Sequence, residues 1–176
     1  IDKVNGEVIK RVNFDTSIFT FDSNILTFNS KNNVYKITNG YKGEIQCFEN
    51  DNLKWINNRY VKGSPLILGF NASDFNQDGI PEVYVHNVIF NAQTGIKLLD
   101  KKKNGLGNGL GEVFSFYSLP IAAQLDNDPN NLELAAGYTV YKININNTEG
   151  QTGNVITPYN LEVEGKLLDG YTSVAD

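Results

Sequence analysis

Short runs in which hydrophobic and polar residues alternate, or in which β-branched and aromatic residues cluster, make up most of the chain. Such runs are typical of β-strands, and Gly, Asn and Asp collect between them as they do in tight turns. No segment combines the 3.6-residue period of a helix with capping residues. The pattern therefore predicts an all-β fold. The predicted strands include 7–12, 17–21, 25–28, 34–37, 44–48, 53–56, 65–70, 82–85, 113–119, 121–125, 132–136 and 161–164.

The predicted strands recur with a period of about fifty residues. Four aspartates in similar surroundings mark this period at spacings of 52, 52 and 50, namely Asp22, Asp74, Asp126 and Asp176. A β-branched and aromatic run follows each of the first three, at 33–37, 87–91 and 139–143. A period near fifty with several short strands is typical of four-stranded propeller blades. We therefore expect about three blade-like units of a larger β-propeller, with approximate bounds 22–73, 74–125 and 126–175.

One loop between two predicted strands, Asp74 to Glu82, has the pattern D-x-N-x-D-G-x-x-E. A hard cation such as calcium takes about six to eight oxygen ligands, and Gly79 permits the positive φ that curls the backbone around one point. An EF-hand is disfavoured, because Val85 stands where that loop carries its bidentate glutamate. A plain tight turn is the alternative interpretation. The predicted metal ligands are the side chains of Asp74, Asn76, Asp78 and Glu82 and the backbone carbonyl of Ile80.

A second acidic stretch, 125–133, supplies a second candidate loop. Its predicted ligands are Asp126, Asp128, Asn130 and Glu133. Asn131 stands where the first loop has glycine, and the glutamate comes one position earlier in the pattern. Asparagine tolerates positive φ better than most residues, so a variant metal site and a plain turn both stay open. The Asp22 stretch is expected to form a turn without metal.

Composition and charge narrow the classes of function. The chain of 176 residues fits one domain, its 40% hydrophobic content is enough for a core, and no run approaches the length of a membrane span. A net charge of −5 argues against a nucleic-acid partner. The single Cys47 excludes an internal disulfide, and the single His86 excludes a histidine-rich zinc site. The start at Ile1, without Met or a signal peptide, leads us to expect a processed protein or a fragment.

No catalytic residue is predicted. His86 stands alone, Cys47 lies in an apolar strand without a base nearby in sequence, and no serine lies in a G-x-S-x-G elbow. The Lys- and Gly-rich stretch 101–111 lacks the P-loop pattern and is expected to be a surface loop. Trp55 would be a candidate for stacking on a carbohydrate if it were exposed.

The loop from Asp74 to Glu82, the strand 83–85 that follows it and the period of 50–52 residues resemble the FG-GAP or VCBS repeat. This family forms calcium-binding β-propellers, as in the integrin α-subunit and in large bacterial surface adhesins. The resemblance covers most of residues 20–176, although the Phe-Gly and Gly-Ala-Pro signatures of the family are absent. It implies calcium between the first two strands of a blade, held by Asp74, Asn76, Asp78, the Ile80 carbonyl and Glu82.

Together these observations predict a calcium-stabilised propeller module of a secreted or cell-surface protein, located outside the cell and acting in adhesion or interaction without catalysis. The expected partners are another protein or a surface glycan, together with the rest of the same propeller. Two alternatives stay open. One is part of a propeller carbohydrate-active enzyme such as a polysaccharide lyase, and the other is a metal-free structural repeat.

Overall fold

The computed structural model describes residues 25–39, 44–57, 70–85, 87–100, 120–167 and 172–173. Within these residues the chain forms fourteen β-strands and no helix, which confirms the predicted all-β class there. None of the described residues belongs to a helix long and apolar enough to cross a membrane. Several sequence predictions lie outside the described residues. They are the strands at 7–12, 17–21 and 113–119, most of the strand at 65–70, the loop at 101–111, His86, Asp22 and Asp176.

Three four-stranded antiparallel sheets contain most of the strands, and in each sheet the strands lie in chain order. The first sheet holds β1 (Ile25–Ser30), β2 (Asn33–Asn39), β3 (Ile45–Glu49) and β4 (Asn52–Asn57). The second holds β5 (Asn71–Ser73), β6 (Glu82–Val85), β7 (Val88–Asn91) and β8 (Lys97–Asp100). The third holds β9 (Ile121–Ala123), β10 (Glu133–Ala136), β11 (Thr139–Asn144) and β12 (Val155–Asn160). A separate hairpin of β13 (Glu162–Val163) and β14 (Lys166–Leu167) follows.

The strand topology corrects one match made along the sequence. The run 33–37 lies in β2, the second strand of its sheet, whereas the runs 87–91 and 139–143 lie in the third strands β7 and β11. The runs look alike because any strand with a buried face carries β-branched and aromatic residues, whatever its place in the sheet. In addition, β5 and β9 precede the acidic loops, so the second and third sheets begin before the predicted unit bounds.

The second sheet packs between the other two, so both of its faces are buried. On one face Val83 and Phe90 pack with Ile37 and Cys47 of the first sheet. On the other face, Tyr84 and Ile89 belong to a cluster with residues of the third sheet, among them Leu134, Tyr141 and Ile143. All four residues of β6 and all four of β7 are buried. Burial on both faces explains why residues 83–85 and 88–90 of these strands are consecutive hydrophobic residues rather than alternating with polar ones.

Trp55 joins the first sheet to the second. Its indole N–H donates to the Ala92 carbonyl at 3.2 Å, and its ring lies against Gly95, where an added Cβ would stand 2.6 Å from Cδ2 of Trp55. Gly95 also has a φ of +72°. The indole is half-buried by this contact, so the exposure that carbohydrate stacking required is not observed.

Gly95→Ala should destabilise the protein more than Gly153→Ala does. Gly153 has a similar φ of +87° with no atom within 4 Å of an added Cβ, so it isolates the backbone cost of roughly 1–2 kcal/mol. Gly95→Ala adds the clash with Trp55, for which about 1–3 kcal/mol is typical of overpacking. The free energy of unfolding in urea, measured for both variants, tests this. Equal losses would contradict the contact between Trp55 and Gly95.

Cys47 lies in the core between the first and second sheets and is fully buried. This confirms the expectation of a small buried hydrophobe. Burial raises the pKa of Cys47 to about 12; the charge of Lys54 acts in the opposite direction, and that of Glu49 raises the pKa further. Ionisation of the thiol is therefore less favourable in the folded protein than in the unfolded chain.

The raised pKa predicts a loss of stability in alkali. Since the folded pKa exceeds the ordinary value of 9.0, the contribution is fully present below pH 9 and is lost as the pH rises towards 12. The slope is up to about 1.4 kcal/mol per pH unit. Cys47→Ala should be less stable at pH 8 but should lose less stability between pH 9 and pH 10. Parallel pH profiles of the two proteins in urea unfolding would contradict the prediction.

Candidate metal centre

The loop 74–81 connects β5 to β6, so the predicted metal loop does join two adjacent strands. The carboxylate of Asp74 accepts the backbone N–H of Asp78 at 3.0 Å and that of Gly79 at 2.8 Å. Gly79 has a φ of +85°, which confirms the predicted positive φ. The aspartate at the start of the loop thereby closes it into a tight curl.

Asn76 and Asp78 continue the same arrangement of side chain against backbone. The side-chain oxygen of Asn76 accepts the backbone N–H of Asp78 at 3.3 Å, and Asp78 Oδ1 accepts that of Ile80 at 2.8 Å. The amide of Asn76 donates to Asp78 Oδ2 at 3.1 Å. Three of the four predicted side-chain ligands are thus drawn into one loop by hydrogen bonds.

The core and the third sheet hold this loop in place. Phe75 is fully buried and packs edge-to-face on Tyr84, with 5.4 Å between the ring centroids. The carbonyl of Phe75 accepts the backbone N–H of Leu132 at 3.2 Å, and the side chain of Gln77 donates to the Pro129 carbonyl. The loop is therefore fixed by neighbours on both sides and not only by its own turns.

Glu82, the fourth predicted side-chain ligand, is the first residue of β6 and is fully buried. Its Oε2 accepts the backbone N–H of Phe75 at 2.9 Å. Its Oε1 is buried and has no hydrogen-bond partner among the described residues. Burial raises the pKa of Glu82 to about 8; the Phe75 N–H acts against this, while the charges of Asp78 and Asp74 raise the pKa further.

The donor chemistry fits a hard divalent cation. The loop offers carboxylate, amide and carbonyl oxygens, which calcium prefers. A buried carboxylate oxygen without a partner is costly, and a cation bound there would satisfy it and offset the repulsion from Asp74 and Asp78. As they stand, no three His, Cys, Asp or Glu side chains of the described residues are gathered closely enough to hold a metal. The ligand set therefore stays a prediction.

The second acidic loop has the same hydrogen bond from its backbone to a buried glutamate. The residues that correspond between the two loops, however, are not the ones matched along the sequence. The backbone N–H of Leu125 donates to Glu133 Oε2 at 2.8 Å, as that of Phe75 donates to Glu82. Glu133 faces Ala123 across the sheet, as Glu82 faces Ser73. The counterpart of Asp74 is thus Gln124, fifty residues later, rather than Asp126. Asp126 corresponds to Asn76.

The predicted residues of the second loop repeat the local hydrogen bonds of the first. Asp126 Oδ1 accepts the backbone N–H of Asp128 at 2.7 Å, and Asp128 Oδ1 accepts that of Asn130 at 3.1 Å. Glu133 is buried, and its Oε1 also has no hydrogen-bond partner among the described residues. Asp126, Asp128 and Asn130 therefore lie in one loop, and Glu133 begins the strand β10 that follows it. Metal binding there stays a prediction.

Two residues that contact this second loop, Gln124 at its start and Lys142 of β11, were not predicted from the sequence. Lys142 places its ammonium 2.9 Å from Asp126 Oδ2 and 4.0 Å from Asp128 Oδ2. The side-chain amide of Gln124 donates to the carbonyls of Asp126 at 2.8 Å and Asp128 at 2.7 Å. Matching the strands 71–73 and 121–123, rather than the aspartates, would have revealed the offset of fifty and with it Gln124.

Comparisons of the chain with protein families, with curated proteins and with solved structures give no match.

Proposed function

We propose that this chain is a calcium-stabilised β-propeller module of a secreted or cell-surface protein, of the FG-GAP or VCBS kind, which acts in adhesion or interaction without catalysis. Calcium in the first loop would be structural. Its ligands would be Asp74, Asn76, Asp78, the Ile80 carbonyl and Glu82.

The arrangement of the sheets supports the propeller part of the proposal. Propeller blades are four-stranded antiparallel sheets with their strands in chain order, stacked face to face around an axis. The three sheets have this strand order, and the second shares a hydrophobic cluster with each of the others. The acidic loops occupy the same place in the second and third sheets, between the first and second strands.

The buried Oε1 of Glu82 is the single observation that carries the calcium part. A fully buried carboxylate oxygen without a partner is costly. Glu133 has such an oxygen too, but it faces Lys142 across its sheet, whereas Glu82 faces the uncharged Asn91. A calcium ion bound to Glu82 Oε1 would also contact the loop, and the loop reaches the third sheet through Phe75 and Leu132. The ion would in this way brace two sheets at once. Extracellular modules bind calcium with a Kd of roughly 10⁻⁴–10⁻³ M, which suits the proposed location.

The partner in adhesion or interaction would be another protein or a surface glycan. The net charge of −5 favours partners other than nucleic acid. The alternative of a carbohydrate-active enzyme gains no support from Trp55, since its ring is half-buried against Gly95. The alternative of a metal-free repeat is an outcome of the experiment below.

Calcium should raise the melting temperature of the wild-type protein relative to EGTA. Selective binding to the folded state contributes RT ln(1 + [L]/Kd), about 2.7 kcal/mol when calcium is at a hundred times the Kd. Asp78→Ala should lose most of this increase. Asp100→Ala, which removes a carboxylate on β8 paired with Lys97, is the control and should keep it. The same melting temperature for the wild type in calcium and in EGTA would refute the metal staple.

The effect of Glu82→Gln on the free energy of unfolding, relative to the wild type, should change sign between calcium and EGTA. At pH 8.5 in EGTA the variant should match or exceed the wild type, because it removes a buried negative charge. In calcium it should fall below the wild type, because the amide is a poorer ligand. Urea unfolding of both proteins in both buffers measures this. A variant that is less stable than the wild type by the same amount with and without calcium would show that Glu82 has only a packing role.

A further inference from the structure

The two acidic loops share one backbone frame but differ in the side chains around its centre. Gln124 stands where the first loop has Asp74. Lys142 stands where the first loop has Asn91, since Lys142 faces Glu133 across the sheet as Asn91 faces Glu82. Gln124 removes the carboxylate of Asp74, but Asp126 adds one in the place of Asn76, so each loop has three carboxylates including its glutamate. The difference in charge is the cation of Lys142, which reduces the need for an external positive charge.

Lys142 provides that charge from within the chain. Its ammonium contacts Asp126 Oδ2 at 2.9 Å and lies 4.0 Å from Asp128 Oδ2, the two carboxylates that correspond to Asn76 and Asp78. This ion pair gives the carboxylate of Asp126 a counter-ion from within the chain. Glu133 Oε1 accepts no hydrogen bond from the described residues, and Lys142 faces Glu133 across the pairing of β10 with β11.

The side chain at the start of the loop accepts hydrogen bonds in the first loop, where it is Asp74, and donates them in the second, where it is Gln124. Asp74 accepts the backbone N–H groups of Asp78 and Gly79, whereas Gln124 donates to two backbone carbonyls. Pro129, at the place of Gly79, has no N–H to donate. The amide of Gln124 therefore satisfies carbonyl oxygens that would otherwise be available to a metal.

In the first loop the position of Lys142 is occupied by Asn91, which cannot replace a cation. Its side-chain oxygen accepts the backbone N–H groups of Gln93 at 2.9 Å and Thr94 at 3.0 Å, which ties it to the β7–β8 turn. It carries no charge, and the carboxylates of Asp74, Asp78 and Glu82 receive no ammonium from its position.

We infer that Lys142 and Gln124 take the place of the cation in the second loop, so that this loop closes without a metal while the first loop requires one. The second half of the statement rests on the proposed function. The first half stands on the contacts of Lys142 and Gln124 alone.

Calorimetric titration with calcium, on the full chain, tests the inference through the number of ions bound. The variant Gln124→Asp/Lys142→Asn restores at both positions the residues of the first loop. Its matched control, Gln151→Asp/Lys97→Asn, makes the same change in charge away from the loop, and the Lys97 and Lys142 side chains are each 40% exposed. We expect one calcium for the wild type, two for the loop variant and one for the control.

Two results would overturn the inference: a wild-type protein that already binds two ions, or a loop variant that binds no more than the wild type. A wild type that binds none and a loop variant that binds one would support the inference while refuting the proposed function. If the double variant does not fold, Lys142→Met replaces it, since it keeps the aliphatic stem. It should gain the second ion with weaker affinity, and no gain would again overturn the inference.

Discussion

A hydrogen bond from the loop backbone to a buried glutamate organises both acidic loops. The Phe75 N–H reaches Glu82 at 2.9 Å, and the Leu125 N–H reaches Glu133 at 2.8 Å. Each bond fixes the start of a second strand against the loop before it, and each leaves the other carboxylate oxygen buried without a hydrogen bond from the described residues. Placing a negative charge there is costly unless positive charge is brought close. Under the proposals above, calcium would supply that charge in the first loop and Lys142 in the second.

The strands were predictable where their residues alternate or cluster locally. The runs 25–28, 53–56 and 132–136 each contain most of an observed strand, because pleated geometry places neighbouring side chains on opposite faces. It was harder to predict from the sequence which residues of one sheet correspond to which residues of the next. Conserved-looking aspartates suggested an offset of 52, but backbone pairing aligns Gln124 with Asp74. A carboxylate on a loop surface can shift by two residues at little cost, whereas the register of a buried strand cannot shift without moving its side chains to the other face.

The candidate site was predictable to the extent that its chemistry is local. The alternate spacing of Asp74, Asn76 and Asp78, followed by Gly79, indicated a curled loop of oxygen donors, and the curl is observed. The unsatisfied oxygen of Glu82 was not predictable, because burial depends on the packing of three sheets. Lys142 was missed for a similar reason. It is sixteen residues from Asp126 in sequence and reaches the loop only through the pairing of β10 with β11.

A lysine of the chain and a bound calcium ion differ in how far they make the stability of the fold depend on calcium concentration. An exposed ion pair such as Lys142 with Asp126 contributes little to stability because solvent screens it, but it is present at every calcium concentration. A bound ion contributes more, and its contribution vanishes when the ion is removed. Calcium, the stronger of the two, is proposed for the loop of the second sheet. That loop also contacts the third sheet through the hydrogen bond from the Leu132 N–H to the Phe75 carbonyl. One ion at that position would brace both sheets, and the third sheet could then rely on the weaker substitute.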